Sequence, residues 1–417
     1  MLIKLLATGE SNLKVIHINT YDTGGAATAM LALHNSLKSK GIDSKILVRF
    51  KWSDNPDIHV FGFITPSVTT RIIRRLSGWK SRDKSNKEQL AKYEFERDLF
   101  TFPESDQDIC SQQIFLSADI IHLHWVADFI DYPSFFSKIN KPVIWTLHDK
   151  GPAMGGFHLL TDYERNINNK VLELENKLKQ IKVDSLKKYK NITLISPSRT
   201  LKKFFERDDI FNHYPNHLIY NGVDPVENKL LDKIFCRKVL GLPSDKIIFL
   251  FLNKNNQGYH KGFDILNKVI LKFQPENSIH FIVAGDTLKE SGRMYDNVTN
   301  VESVTGRYEK NILYCASDGL IIPSREENLP NIMLEAFMCG VPIISFNIGG
   351  MGEILKNNNF GISAGQVSEI NLINAIKNFI DNINRFKKEF IREFAIENFD
   401  IKTQCDKYID IYKSILL

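Results

Sequence analysis

The sequence predicts two consecutive α/β domains, each built on a parallel sheet, and three observations carry that prediction. The chain has 417 residues, more than one ordinary domain holds, so two domains of roughly 200 residues each are expected. Short apolar runs bounded by turns alternate with stretches of helical spacing, the pattern of βα units with buried strands. Several of those runs end in glycine, histidine or carboxylate residues, at the edge where open α/β sheets bind ligands.

Hydrophobic residues make up 43% and charged residues 25% of the chain, the composition of a soluble globular protein. No apolar run approaches the length needed to cross a bilayer, and Met1–Ala7 is too short for a signal peptide. Cys110, Cys236, Cys315, Cys339 and Cys405 are scattered, with no Cys-x-x-Cys pair. Neither a disulfide frame nor a zinc site is expected, and a reducing, cytoplasmic compartment fits. The net charge of +5 argues weakly for anionic ligands or surfaces.

In order, Lys14–Asn19 reads as the first strand, and Ala26, Met30, Leu33 and Leu37 fall on one helical face that ends at Gly41. Ser44–Phe50 is the second strand. Gly24 and Gly25, at the first strand-to-helix turn, let backbone amides approach an anion closely. A purely conformational turn explains them equally, and no G-x-G-x-x-G suggests a dinucleotide site. Residues 64–110 break the rhythm. Within them Arg71–Lys84 reads either as a solvated basic loop or as an amphipathic segment on an anionic membrane, with Trp79 at the interface.

Ala118–Trp125 and Lys141–Asp149 resume the strand pattern and carry His122, His124 and His148 near their carboxyl ends. Alternation puts His122 and His124 on one face, but no third ligand is convincingly spaced, so no metal site is assigned. Gly151–His158 is a loop over the same edge, residues 164–190 a long scaffold helix, and Asn191–Ser198 the strand that closes the first sheet. Leu218–Pro225 is a turn-rich connector.

A second series begins at the strand Lys246–Leu252 and continues with a helix from about Phe263 to Phe273. Strands Ile279–Gly285 and Val301–Thr305 come next, then a helix Glu309–Ala316 and a strand Gly319–Ser324. Glu327 then hangs at the end of a strand, and Asn328 reads as a helix N-cap with Pro330 in the first turn. Glu335 falls about two turns in. Two glutamates eight apart are often only solvated charges. Here, however, the strand Val341–Phe346 leads into Asn347–Glu353, a glycine-rich turn that a surface helix does not need. Lys261 opens a helix, the end where a cation is disfavoured; a bound anion would account for it, as would a flexible surface position. Helices near 368–381, 386–397 and 401–417 finish the chain.

Asp22–Ala27, Asp119–Trp125, Pro142–Asp149, Asn221–Asp224, Lys261–Asp264, and Glu327–Glu335 with Gly349 and Gly350 occur in family order across both domains. On these stretches the chain resembles family 4 glycosyltransferases of the GT-B architecture, in which two Rossmann-like domains face each other across a cleft. It is most similar to the WcaC-like enzymes of surface-polysaccharide clusters. The resemblance implies a first, acceptor-side domain over 1–220, a nucleotide-sugar domain over 221–398, and a last helix, 399–417, that packs back on the first.

It further implies transfer of a sugar, with retention, from a UDP- or GDP-linked donor to a saccharide or lipid-linked acceptor. By position Glu327 would hold sugar hydroxyls, Glu335 the ribose, and Lys261 the diphosphate together with amides near Gly24, Gly25, Gly349 and Gly350. His148 would stand by the reacting sugar, and Arg307 and Tyr308 near the base. Asn328 and Leu329 belong to the same donor stretch. Where the family often has an arginine just before the Lys-Gly pair, this chain offers Lys254 or Arg307 as the second cation. His148, Lys261 and Glu327 are the expected catalytic residues.

Lysine and helix-start amides stabilise a departing diphosphate without a metal, and Asp106-Gln-Asp108 is poorly placed to clamp one. No cofactor, no metal and no nucleic acid are expected, with peripheral contact to an anionic membrane left open. Two other readings are a nucleotide-sugar epimerase of the same architecture and a non-catalytic nucleotide-sugar-binding partner.

Overall fold

The structure, a computed structural model, describes residues 13–62, 69, 76–77, 79–253, 258–285, 296–302, 304 and 306–417. Met1–Ala7, Lys254, Thr305, and Arg71–Arg75 with Gly78 of the basic stretch lie outside them. Contacts divide the chain into two units. The first runs to Pro197 and adds Leu201–Ile219 and Lys407–Leu417; the second is Ser198–Thr200 with Tyr220–Asp406.

Among the described residues, the first unit holds a sheet of β1 (Lys14–Tyr21), β2 (Asp43–Phe50), β3 (Ile58–Val60), β4 (Ile120–Leu123), β5 (Val143–Thr146), β6 (Ile192–Ser196) and β7 (Asn216–Leu218). All pairs are parallel, in the order β3-β2-β1-β4-β5-β6-β7. Alternation along the strands sorts the side chains onto two faces. Ile16, Ile18, Ile121, Leu123, Val143 and Trp145 join the main core of this unit. The opposite parity, His17, His122, His124, Thr146 and His148, faces the other way. The short strands β3 and β7 escape a sequence reading because neither has the length to show a pattern.

The second unit, again among described residues, has β8 (Ile247–Asn253), β9 (Ile279–Gly285), β10 (Val298–Val301), β11 (Gly319–Ile322), β12 (Ile343–Ser345) and β13 (Gly361–Ser363). Their order is β10-β9-β8-β11-β12-β13, also all parallel. Along β8, Ile248, Leu250 and Leu252 enter one core while Phe249 and Phe251 enter the other, so the sheet is buried on both faces. Two parallel-sheet Rossmann-like units are therefore present, as the strand pattern predicts.

Several expected boundaries shift. The long helix of residues 164–190 is two, Leu160–Arg165 and Val171–Leu186. The strand expected at Val301–Thr305 is Val298–Val301, earlier in the chain. The helix after Glu327 spans Asn331–Met338 with Pro330 at its N-cap position. Asn328 is thus not the cap, and Glu335 lies one turn in rather than two. Helix Ile401–Ser414 begins in the second unit, and from Lys407 onward it belongs to the first.

Candidate functional site

Each unit gathers part of the predicted set. In the first, β1 and β4 are in register at His17 and His122, so the third imidazole that sequence spacing hides comes from the neighbouring strand. His122 and His124 stack with centroids 4.2 Å apart, and His17 lies 4.9 Å and 5.2 Å from them. His17, His122 and His124 each place a ring nitrogen within 4.8 Å of the others, close enough to hold one metal ion. Their nitrogens are nevertheless largely taken. His122 meets the Tyr412 hydroxyl at 2.7 Å and the Thr146 hydroxyl at 2.8 Å. His124 meets His17 Nδ1 at 3.0 Å and His148 Nε2 at 3.2 Å. Burial drives His17 and His124 well below the usual histidine range and His122 down to about 3. His148 is lowered to about 4 by burial, against the pull of neighbouring Asp149. All four are neutral at pH 7.

His148 lines a pocket of about 360 Å³, open mouth included, together with His124, Trp125, Asp149, His158 and Lys182. Asp149 accepts from Trp125 Nε1 at 2.7 Å and Gly151 N at 2.8 Å, and meets His158 Nδ1 at 2.7 Å. Burial alone would raise this carboxyl, but His158 and those donors hold it below its usual value. The Gly151–His158 loop beside it is held by helix Val171–Leu186. Glu175 accepts from the amides of Gly155, Gly156 and Phe157 at 2.6, 2.6 and 3.1 Å. Lys182 donates to the carbonyls of Gly151 and Met154 at 2.7 and 2.8 Å, and burial lowers its ammonium to about 8. The loop runs so close to this helix that a Cβ at Gly155 would overlap the Glu175 carbonyl oxygen. Sequence alone reads this helix as scaffold. A signal for more is present: Val171, Leu174, Glu175, Leu178 and Lys182 follow one helical stripe, and two charges on a buried stripe need a purpose.

Gly24 and Gly25 stand at the start of helix Gly25–Ser39, Gly24 with φ of 94°. A Cβ at either glycine would meet nothing within 4 Å, so backbone conformation rather than crowding selects Gly24.

In the second unit Lys261 and Glu327 form a direct ion pair. Lys261 ends the single turn Tyr259–Lys261, and Gly262 at φ 68° starts helix Phe263–Phe273. The cation at the wrong end of a helix is thus matched by a carboxylate from the end of the β11 loop. The twin glutamates part company here. Glu335, 8% exposed, accepts from the Tyr314 hydroxyl at 2.8 Å, with Lys310 at 3.6 Å. It is no solvated surface charge. Burial, and then the Glu335 charge, push Tyr314 well above the ordinary phenol range.

The Asn328 side chain accepts from the Ser198 hydroxyl at 2.6 Å, and its carbonyl accepts from Gly350 N at 2.6 Å. The Gly350 amide thus has an acceptor inside the protein. Gly349, at φ 49°, opens helix Gly349–Ile354, and a Cβ there would overlap the Glu327 carbonyl oxygen. That close approach locks the glycine turn against the Glu327 segment. Leu329 is core, 4% exposed. Arg307 pairs with Glu227, and Tyr308 is 81% exposed. Arg325, not singled out from sequence, makes a two-pronged bond to Asp264, both contacts 2.6 Å. Asp106 accepts from Arg82 N and Asp108 from Lys138, which leaves the Asp-x-Asp pair tied to surface partners.

Residues 246–382 match the family model described as glycosyl transferases group 1. An uncharacterized glycosyltransferase of Methanocaldococcus jannaschii is 26% identical over 58% of this chain and 61% of its own length. An uncharacterized 41.2 kDa protein from the cps region of Klebsiella pneumoniae is 26% identical over 47% of this chain and 54% of its own length. The chain thus spans little more than half the length of these relatives. The crystal structure of HepE from Anabaena in complex with UDP-glucose superimposes with a TM-score of 0.67 at 14% identity, covering 96% of this chain and 100% of that one. That likeness is one of fold: two Rossmann-like units, as in GT-B proteins.

Proposed function

We propose that the chain is a retaining glycosyltransferase of the WcaC-like kind, moving a sugar from a nucleotide diphosphate-sugar to a saccharide or lipid-linked acceptor in surface-polysaccharide assembly. One observation carries the reading: within the stretch that matches the glycosyltransferase family, Lys261 is paired with Glu327 against the Gly349 turn. A bound donor brings a diphosphate that takes over the ammonium. Glu327 is then released to accept from sugar hydroxyls, and Glu335, fixed by Tyr314, accepts from the ribose. The bond from the anomeric carbon to the diphosphate oxygen breaks while the acceptor hydroxyl attacks on the same face and passes its proton to the departing phosphate. Charge developing on that leaving group is met by Lys261 already in place.

Metal is not needed in this scheme, because an ammonium group and backbone amides carry the countercharge. Turnover unchanged by a chelator is expected. A thermal-shift screen of UDP-, GDP-, ADP- and dTDP-sugars tests the donor, since a ligand that binds only the folded chain raises the melting temperature. UDP-glucose is the first to try. One donor should stand out; no shift with any of them overturns the proposal. Incubation with donor alone separates the epimerase reading, which predicts a new sugar without acceptor. Among the described residues no helix is long and apolar enough to cross a membrane. Contact with a lipid-linked acceptor would then be peripheral, and sedimentation with anionic vesicles that fades with salt tests it.

A further inference from the structure

We infer that His17 and His124 are positioning residues that fix His148 as a neutral hydrogen-bond donor through Nδ1. The argument is one of proton counting. His17 Nδ1 lies 3.0 Å from His124 Nε2, and His124 Nδ1 lies 3.2 Å from His148 Nε2. Each neutral imidazole carries one proton, so only two arrangements satisfy both bonds. In the first, protons point inward: His148 Nε2–H donates to His124, whose Nε2–H donates to His17. In the second they point outward: His17 Nδ1–H donates to His124, whose Nδ1–H donates to His148.

The far nitrogen of His17 decides between them. His17 is fully buried, and among the described residues its Nε2 finds no hydrogen-bond partner. His122, beside it, has both nitrogens engaged by the hydroxyls of Tyr412 and Thr146. On the other side His34 shares its Nδ1 with the Ser44 hydroxyl at 2.7 Å. Its Nε2, 3.7 Å from Asp57, likewise finds no hydrogen-bond partner among the described residues, so it offers His17 none. The inward arrangement strands a buried N–H donor on His17; the outward one strands only a lone pair. Orphaned buried N–H groups are the rarer and costlier of the two. The outward chain wins, His148 receives at Nε2, and its proton resides on Nδ1.

Burial keeps His17, His124 and His148 uncharged at neutral pH, so the count of one proton each holds. The consequence for binding rests on the glycosyltransferase reading. His148 offers an N–H to an oxygen of the bound sugar and does not take a proton from it. The orientation therefore selects a ligand with an acceptor oxygen at that place and refuses an ammonium group.

The tautomer is measurable without any substrate. In protein labelled with 15N-histidine, His148, assigned by loss of its signals in His148→Gln, should show a protonated Nδ1 and a bare Nε2. His17→Met removes the first donor, and His148 should then move toward the Nε2–H form. Donor KM should rise several-fold in that variant with a smaller change in kcat. An Nε2–H tautomer of His148 in the wild-type protein overturns the inference, whether or not His17→Met folds. So does a spectrum that collapses on adding a chelator, since that would make the cluster a metal site. If the tautomer is as stated but no sugar nucleotide binds, the reading of function fails and the relay stands.

Discussion

Lys261 and Glu327, sixty-six positions apart in sequence, neutralise each other across the junction between two βα units. Each is only partly exposed, at 29% and 15% of its side chain, so neither charge is comfortable alone. Under the proposed function, Lys261→Ala should lower kcat/KM by about 10²–10³, the usual effect of removing one preorganised donor from a developing anion. Because the two side chains share one interaction, Lys261→Ala and Glu327→Ala combined should cost less than the sum of the single variants. Steady-state kinetics on the four proteins of that cycle checks it; strict additivity would show that the pair does not act together.

Tyr314→Phe removes one hydroxyl and leaves Glu335 buried with Lys310 at its longer distance. A loss of about 1–3 kcal/mol is expected from the unsatisfied carboxylate, together with weaker nucleotide binding. Denaturant titration gives the first and calorimetry with a nucleoside diphosphate the second. Unchanged nucleotide affinity would take Glu335 out of the ribose site.

Glu175→Ala strips three loop amides of their acceptor at once. The expected cost is about 3 kcal/mol, the scale of losing charge-assisted bonds in a buried setting. Faster hydrogen exchange at Gly155–Phe157 should accompany it. If the loop stays protected, it is held by something other than this carboxylate.

Acid should destabilise the first unit early. The folded chain keeps His17, His122, His124 and His148 neutral, His148 down to about 4 against an ordinary value of 6.5. The unfolded chain binds those protons as pH falls below 6.5, so stability is full above that value and drops as pH is lowered toward 4. The slope is about 1.4 kcal/mol per pH unit for each histidine affected. Melting temperatures from about pH 7.5 to 4.5 test this, and a flat profile would contradict the burial of the cluster.

Much of the architecture can be read in advance because βα repetition and strand alternation are local patterns. Helix Phe263–Phe273 lies where its spacing puts it, and His122 and His124 share a face as period two demands. What escapes such a reading depends on which strand lies beside which. His17 joins the imidazoles only because β1 pairs with β4, a crossover that no local window contains. Asn328 reads as a cap by residue type, yet tertiary contact turns it toward Ser198 and Gly350. Sequence shows that the Gly350 amide exists, not that a neighbouring carbonyl accepts from it.

Helix Ile401–Ser414 delivers Tyr408 and Tyr412 to Thr146 and His122, and Lys407–Leu417 counts with the first unit. The amino-terminal half therefore emerges from the ribosome long before the segment that completes it. At about 5–20 residues per second the delay is on the order of ten to forty seconds, during which the imidazole face waits without its tyrosine cover. Nascent chains stalled within the second unit should thus expose that face to a chaperone or a protease.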